Sequence, residues 1–450
     1  MQNDKTTLKD LSFFAPGDAG IFHLLDHTAT QAGREMLRKH VLHPPETFED
    51  LISLQQAVRF FANHPEAWTT TILNGTIVLV EKFFEAADSA PNPPQGLTLL
   101  ITAFFQRLLN RNAYSFTQFS ISHLSDFIKG CSELTALRSF PDLPLRLRRI
   151  LEEMNAELES QPLVKELADV TKKTPFKDLA RLSYQARRTL KNMVYRLIHH
   201  YAKLDAWHSL ALATVRNNWT FPELTDSFPV WMKATGLYHP LLQAPVSYDI
   251  EFNENRNFLL LTGANMSGKT TFMRTLGVSA LLAHLGMGVP ASYFRISFLQ
   301  GIITNMQVED NLLLGESYFF AEVQRIKQTA QKLQQPLPHL VLMDELFKGT
   351  NVHDAYECTK AVIEGLLQYH RHIMVLSTHL YEVAQQFKDR KDVLFSYFVT
   401  DLTEAGNYYF NYELKPGISD DRIGYRILQK EGVIDLLKNN DKNPENKKEG

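Results

Sequence analysis

Residues Leu259 to Thr271, LLLTGANMSGKTT, hold side-chain types that suit a phosphate chain. Gly263, Gly268, Lys269 and Thr270 fit the spacing G-x-x-x-x-G-K-[ST]. The chemistry sets that spacing. Glycines let backbone N–H groups turn inward around an anion, a lysine reaches the β- and γ-phosphates, and a hydroxyl meets Mg²⁺. Gly263, Asn265, Met266, Ser267, Gly268, Lys269, Thr270 and Thr271 form the candidate nucleotide-binding set. The run before them is apolar and the pattern after them is helical to about Leu285, so the turn joins a buried strand to a helix N-terminus.

Three other stretches carry chemistry. HLVLMDE at 339–345 sets two acids at the tip of an apolar strand. Asp344 suits Mg²⁺ held through water. Glu345, facing another way, suits the polarising of an attacking water, the alternative being a surface salt bridge. STH at 377–379 ends a further strand, where His379 is open to contact with a γ-phosphate or water, or to a structural role. LLLGESYFFAEV at 312–323 opens a helix, and Gly315 and Ser317 near its start are candidates for a phosphate contact made in trans.

The elements that must position these groups change character along the chain. Up to about 220 the periodicity is helical: Phe22 to Leu42, Phe48 to Asn63, Leu97 to Leu109, Phe116 to Leu137, Leu145 to Leu158, and a long breaker-free stretch from Lys177 to Leu212. Residues 1–9 read as a loose start. After Asn217, short β-rich runs alternate with helices, at 247–252, 258–262, 293–298, 302–306, 339–344 and 372–378. That alternation predicts a mainly parallel α/β sheet with its chemistry at the strand ends. The expected division is an all-helical domain at 10–225, an α/β phosphate-loop domain at 226–438 and a disordered polar tail at 439–450.

Composition narrows the classes. The net charge is −3 and the pI about 6.6, so any nucleic-acid contact must be a local patch. Between Lys165 and Lys203 there are ten Lys or Arg against three Asp or Glu. This is either a solvated helix face or a phosphate-gripping surface, in which Lys172, Lys173, Arg181, Arg187, Arg188 and Lys191 are the candidates. Two cysteines, Cys131 and Cys358, make no disulfide framework. Apolar runs such as 96–105 are too short for a bilayer, and the polar N-terminus is no signal peptide. A cytoplasmic protein without membrane contact is expected.

The chain resembles the MutS family of DNA mismatch-repair ATPases. TGANMSGKTTFMRTLGVSALLAHLGMGVPA (262–291) is similar to the family's phosphate-loop block, with Ala264 where the family often has Pro. MDELFKGTNVHDA (343–355) resembles its second nucleotide motif. Gly349, Thr350 and Asp354 match, while Phe347 and Lys348 replace the usual Gly-Arg. YHPLL (238–242), LLDHTATQAGREMLRKHVLHPP (24–45) and DAWHSLALATVRNNWTFPEL (205–224) resemble the entry to the ATPase domain and the two ends of the helical core.

The resemblance implies an ABC-type ATPase domain preceded by a helical core and lever. It also implies ATP and Mg²⁺ as cofactors, DNA as partner, and a homodimer formed through the ATPase domains with Ser317 acting across it. The core resemblance is already under way at Leu24, so no mismatch-reading domain or connector is expected ahead of it. Phe-x-Glu, the mismatch-reading motif, recurs at Phe83, Phe221, Phe252 and Phe320, outside its expected context. The leading expectation is a divergent DNA-associated ATPase. The alternatives are an ATP-binding scaffold with little turnover, against which Glu345 weighs, and an ABC-type ATPase unrelated to DNA, against which residues 24–45 weigh.

Overall fold

The computed structural model describes residues 4–86, 111–171, 173–264, 266–306, 318–402, 408–419 and 432–438. The chain divides into two compact units. One holds Phe14–Pro222 with Leu282–Val289. The other holds Glu223–Leu281, the chain from Pro290 onward and the segment ending at Phe13. The expected loose start is instead a helix, α1 (Lys5–Asp10). Asp4 caps it by accepting the Thr7 N–H at 2.7 Å, and the Thr7 hydroxyl donates to the Ile302 carbonyl at 3.2 Å.

The first unit carries α2 (Ile21–Leu25), α3 (Gln31–Leu42), α4 (Phe48–Asn63), α5 (Asn74–Glu85), α6 (Arg111–Thr135), α7 (Leu145–Glu159), α8 (Pro162–Ala168), α9 (Phe176–Thr189) and α10 (Lys191–Arg216). Leu51, Leu54, Val58 and Phe61 of α4 recur at three- and four-residue steps and are buried, which is one helical face against a core. On α10 buried residues occur all round, because α2, α3, α4 and α7 pack against it. The helix expected at Leu97–Leu109 and the tail from 439 lie outside the described residues.

Two expected helices are broken, each for a tertiary reason. The pattern from Phe22 to Leu42 is interrupted at 26–30 by Asp205 of α10. This buried carboxylate accepts the Ala29 N–H at 2.9 Å, the Thr30 N–H at 3.0 Å and the Thr30 hydroxyl at 2.7 Å. Thr30 in turn accepts the Gly33 N–H at 3.0 Å and starts α3. Gly33 permits the approach, since a Cβ there would stand 2.0 Å from an Asp205 oxygen. The stretch from Lys177 to Leu212 breaks at the buried Leu190 with neither Gly nor Pro present. Helix α9 packs on α6 and α8 while α10 packs on α3 and α4, and one straight rod does not serve both sets of contacts.

The second unit contains two sheets. The six-stranded sheet has the order β10-β9-β4-β8-β7-β6, from β4 (Phe258–Thr262), β6 (Gly301–Asn305), β7 (His339–Asp344), β8 (Ile373–Ser377), β9 (Val393–Leu402) and β10 (Tyr408–Pro416). It is parallel except for the β9–β10 hairpin. Strands β4, β6, β7 and β8 are buried along their whole length, as continuous apolar runs in a covered parallel sheet should be. The runs at 247–252 and 293–298 do not join it. They form a separate mixed sheet with the order β1-β5-β2-β3, from β1 (Glu223–Thr225), β2 (Met232–Leu237), β3 (Tyr248–Phe252) and β5 (Tyr293–Ser297). There β2 pairs antiparallel with both neighbours, which corrects the expectation of one sheet. Helices α11 (Lys269–His284), α12 (Tyr318–Leu333), α13 (Val352–Leu366), α14 (Tyr381–Gln386) and α15 (Val433–Lys438) complete the described elements. No helix among the described residues is long and apolar enough to cross a membrane.

His208 of α10 makes the first unit sensitive to acid. Its ring stacks on Trp68 at 4.3 Å and meets Phe61 edge-on at 5.8 Å. Burial, helped by the nearby Arg216 charge, pulls its pKa from 6.5 down to about 4. Above pH 6.5 the ring is neutral in both states and this stability is fully present. As pH falls toward 4, the unfolded chain takes up a proton that the folded ring refuses, and on the order of 3 kcal/mol is lost. Replacing His208→Phe keeps the stacking and removes the titration. Urea midpoints between pH 7 and pH 4 should therefore fall less steeply in that variant than in wild type. Parallel falls would contradict the assignment.

Candidate functional site

Strand β4 delivers the chain to the carboxyl edge of the six-stranded sheet, between β9 and β8, where the loop 263–268 begins. Gly263 (φ 135°) and Gly268 (φ 111°) turn that loop in conformations closed to other residues. Space is also short, since a Cβ on Gly268 would meet the Tyr412 ring at 3.3 Å. Met266 adopts φ 69° and is 82% exposed. The Ser267 hydroxyl is buried with no hydrogen-bonding partner among the described residues. Asn265 lies outside the described residues. Thr271 sits in the first turn of α11, where its carbonyl accepts the Thr275 hydroxyl at 2.8 Å.

Lys269 opens α11 and is 4% exposed. Its Nζ donates to the Gly263 carbonyl at 2.8 Å and the Ala264 carbonyl at 2.9 Å, and stands 3.2 Å from Glu345 Oε1. All three ammonium protons thus have acceptors in or beside the loop. One residue on, the Thr270 hydroxyl donates to Asp344 Oδ2 at 2.6 Å. The other Asp344 oxygen accepts the Ser377 hydroxyl from the facing end of β8.

Glu345 leaves β7 in a left-handed conformation, φ 51°, with its N–H donated to the Ser377 carbonyl at 3.0 Å. This turn carries its carboxylate away from that of Asp344. Lys348 Nζ lies 3.0 Å from Glu345 Oε2, and His379 Nδ1 lies 3.8 Å from the same oxygen. Burial pushes the Glu345 carboxyl up, but Lys269, the Lys348 hydrogen bond and charge, and His379 outweigh it and hold the group below its ordinary value. Lysine and glutamate therefore meet as a charged pair in a largely buried place.

The expected residues Lys269, Thr270, Asp344 and Glu345 converge here, with His379 half exposed at the margin. Ser317 and Gly315 lie outside the described residues. The sequence reading missed two partners. Ser377 belongs to the same STH run as His379, yet the hydroxyl rather than the imidazole reaches Asp344. Lys348 was visible only as a substitution, and its partner three residues back shows once the turn is seen. Thr270 and Asp344 offer a hydroxyl and a carboxylate side by side. Both are hard oxygen donors of the kind Mg²⁺ takes alongside water and phosphate, so this pair fits the ion. No group of three or more His, Cys, Asp or Glu suited to a metal occurs among the described residues.

The loop after Glu345 holds a second left-handed residue. Phe347 has φ 61°, is 4% exposed, and packs its ring 5.7 Å from that of Phe319. A side chain in that region costs roughly 1–2 kcal/mol, and burying a Phe stabilises by about 1.5–3 kcal/mol. Burial therefore wins and the strain is retained. Beyond it, Asn351 accepts the Asp354 N–H at 3.0 Å and caps α13, which accounts for the NVHD spacing.

The basic stretch of the first unit is largely engaged within that unit. Arg181 pairs with Glu166 at 2.6 Å, and Arg196 holds Glu157 with two bonds at 2.6 and 2.8 Å. Arg187 lies over the Phe83 ring at 4.6 Å, and Arg188 donates to the Tyr184 hydroxyl at 2.5 Å. Arg187 is thus a packed residue rather than a free phosphate contact. Lys165, Lys173 and Lys177 are exposed, and Lys172 lies outside the described residues.

Fold and cluster together define an α/β domain with an ammonium, two carboxylates and two hydroxyls gathered at the ends of its parallel strands. Comparison with known sequences gives this class a family. The sequence model of MutS domain V matches residues 259–442. The DNA mismatch repair protein MutS of Desulfovibrio desulfuricans is 29% identical over 269 residues, which is 58% of this chain and 28% of that protein. Its namesake from Methanosarcina acetivorans is 30% identical over 57% of this chain and 29% of its own length. That of Shouchella clausii is 28% identical over 62% and 33%. Residues 259–442 thus match MutS domain V, and the chain, similar to MutS proteins over about half of its own length, matches about a third or less of each of these relatives.

Strain at Phe347 reverses an ordinary ranking. Phe347→Ala keeps the left-handed cost and loses the ring, whereas Phe347→Gly loses the ring and the strain together. The Gly variant should be the more stable of the two by about 1 kcal/mol, read from their urea unfolding curves. An Ala variant equal to or more stable than Gly would show that position 347 is unstrained.

Proposed function

We propose that the second unit binds ATP with Mg²⁺ and hydrolyses it. The observation that carries this reading is the convergence of Lys269, Thr270, Asp344 and Glu345 at the end of β4 and β7. Lys269 exchanges its loop carbonyls and Glu345 for β- and γ-phosphate oxygens. The glycine turn, with Asn265, Met266, Ser267 and Thr271, supports the phosphates. Thr270 and Asp344 would hold Mg²⁺, which when bound would neutralise phosphate charge. Glu345, released from Lys269, orients the attacking water and accepts its proton, with His379 beside it.

In this proposal residues 10–225 form a helical core and lever, and residues 226–438 the ATPase domain. Two copies meet through their ATPase domains, with Ser317 of each acting on the other's nucleotide. The relatives are called DNA mismatch repair proteins, and a DNA contact is proposed for this chain on that ground. Exposed Lys165, Lys173 and Lys177 would support weak, salt-sensitive, non-specific phosphate binding. A second reading, an ATP-binding switch with little turnover, is favoured by one observation: two ammonium groups, those of Lys269 and Lys348, hold the Glu345 carboxylate.

Turnover separates the two readings. Replacing Glu345→Gln should leave ATP binding intact and lower the hydrolysis rate on the order of 10²–10⁴-fold. Lys269→Ala should lose binding itself. Wild-type turnover no faster than that of Glu345→Gln would favour the switch.

A further inference from the structure

Glu345 and Phe347 both take left-handed conformations, so the loop between β7 and α13 does not hold its own shape. It is fixed upstream by the Glu345 N–H on the Ser377 carbonyl and downstream by the Asn351 cap. Between those points the hold comes from α12. Glu322 Oε1 accepts the Phe347 N–H at 3.2 Å, and the Lys348 and Gly349 amides face the same carboxyl. One turn earlier on the same helix face, Phe319 packs its ring on that of Phe347. Glu322 is 4% exposed, and its Oε2 has no hydrogen-bonding partner among the described residues. A carboxylate is a costly choice for a buried place, and here half of its accepting capacity goes unused. What it does is grip the backbone of the loop that aims Glu345.

We infer that Glu322 is the positioning residue for Glu345, acting through the Phe347 amide, and that α12 thereby sets whether Glu345 is aimed at the phosphate loop. This rests on the reading of Glu345 as the group that handles the attacking water. It goes beyond that reading in assigning the aim to a helix that contributes no group to the cluster of Lys269, Thr270, Asp344 and Glu345. A shift of α12 along its axis would move the Phe347 backbone and ring together, because both are held from one helix face.

The test uses the full chain with methylanthraniloyl-ATP and Mg²⁺ for binding, and ATP turnover normalised to bound nucleotide. Glu322→Met keeps the bulk and removes the acceptor. Its nucleotide affinity should stay near wild type, since Lys269 and Thr270 are untouched, while turnover per bound nucleotide falls about 10²-fold. Glu322→Gln keeps a carbonyl acceptor and should restore most of the turnover. A residue that merely stabilises the fold would lower the amount of active protein and leave turnover per bound nucleotide unchanged. Unchanged turnover in Glu322→Met, or no recovery in Glu322→Gln, overturns the inference. Should Glu322→Met fail to fold, Phe319→Leu loosens the same loop from its ring contact. Reduced turnover at unchanged affinity then supports the inference, and unchanged turnover overturns it. A Glu345→Gln control with wild-type turnover would remove the underlying reading, a result distinct from a Glu322 failure beside an inactive Glu345→Gln.

Discussion

A buried ammonium must be met on every proton, and Lys269 is such a group. Its partners are the carbonyls of Gly263 and Ala264 and the carboxylate of Glu345. The loop carbonyls can turn toward it because Gly263 and Gly268 take φ values that side chains resist. The carboxylate can reach it because Glu345 leaves β7 in a left-handed turn while Asp344, one residue earlier, goes to Thr270 and Ser377. Two adjacent acids therefore serve two different partners, and the backbone turn between them is what separates their tasks.

That separation is held from several elements at once. Strand β8 supplies the Ser377 hydroxyl and carbonyl, α13 is anchored by Asn351, and α12 grips Phe347 through Glu322 and Phe319. Local strain survives only where its surroundings over-determine it. Lys348 adds a second cation to Glu345, so the carboxylate is charged and restrained. Under the proposed reading a phosphate chain would compete for Lys269 with this existing set of acceptors, and its binding would be coupled to the freeing of Glu345.

Legibility in the sequence followed range. The turn at 263–270 and the acids at 344–345 are local patterns of spacing and residue type, and both fall at strand ends as their apolar runs indicated. The second sheet was not legible, because strands at 248–252 and 293–297 look like any other short apolar run until their pairing is known. Nor was the interruption at 26–30, which is imposed by Asp205 from far along the chain. The kink at Leu190 has no breaker residue to announce it and arises from the different surfaces that α9 and α10 cover. At the cluster itself, the roles of Ser377, Lys348 and Glu322 depend on where β8, the loop and α12 are brought together, and no spacing rule carries that information.

The most direct test of this account is a crystal structure with a non-hydrolysable ATP analogue and Mg²⁺. The account predicts that Lys269 Nζ leaves the Gly263 and Ala264 carbonyls and Glu345 for the β- and γ-phosphate oxygens, with Thr270 and Asp344 at the ion and Glu345 freed beside the γ-phosphate. A structure in which Lys269 keeps its three present partners while the nucleotide lies elsewhere would contradict it.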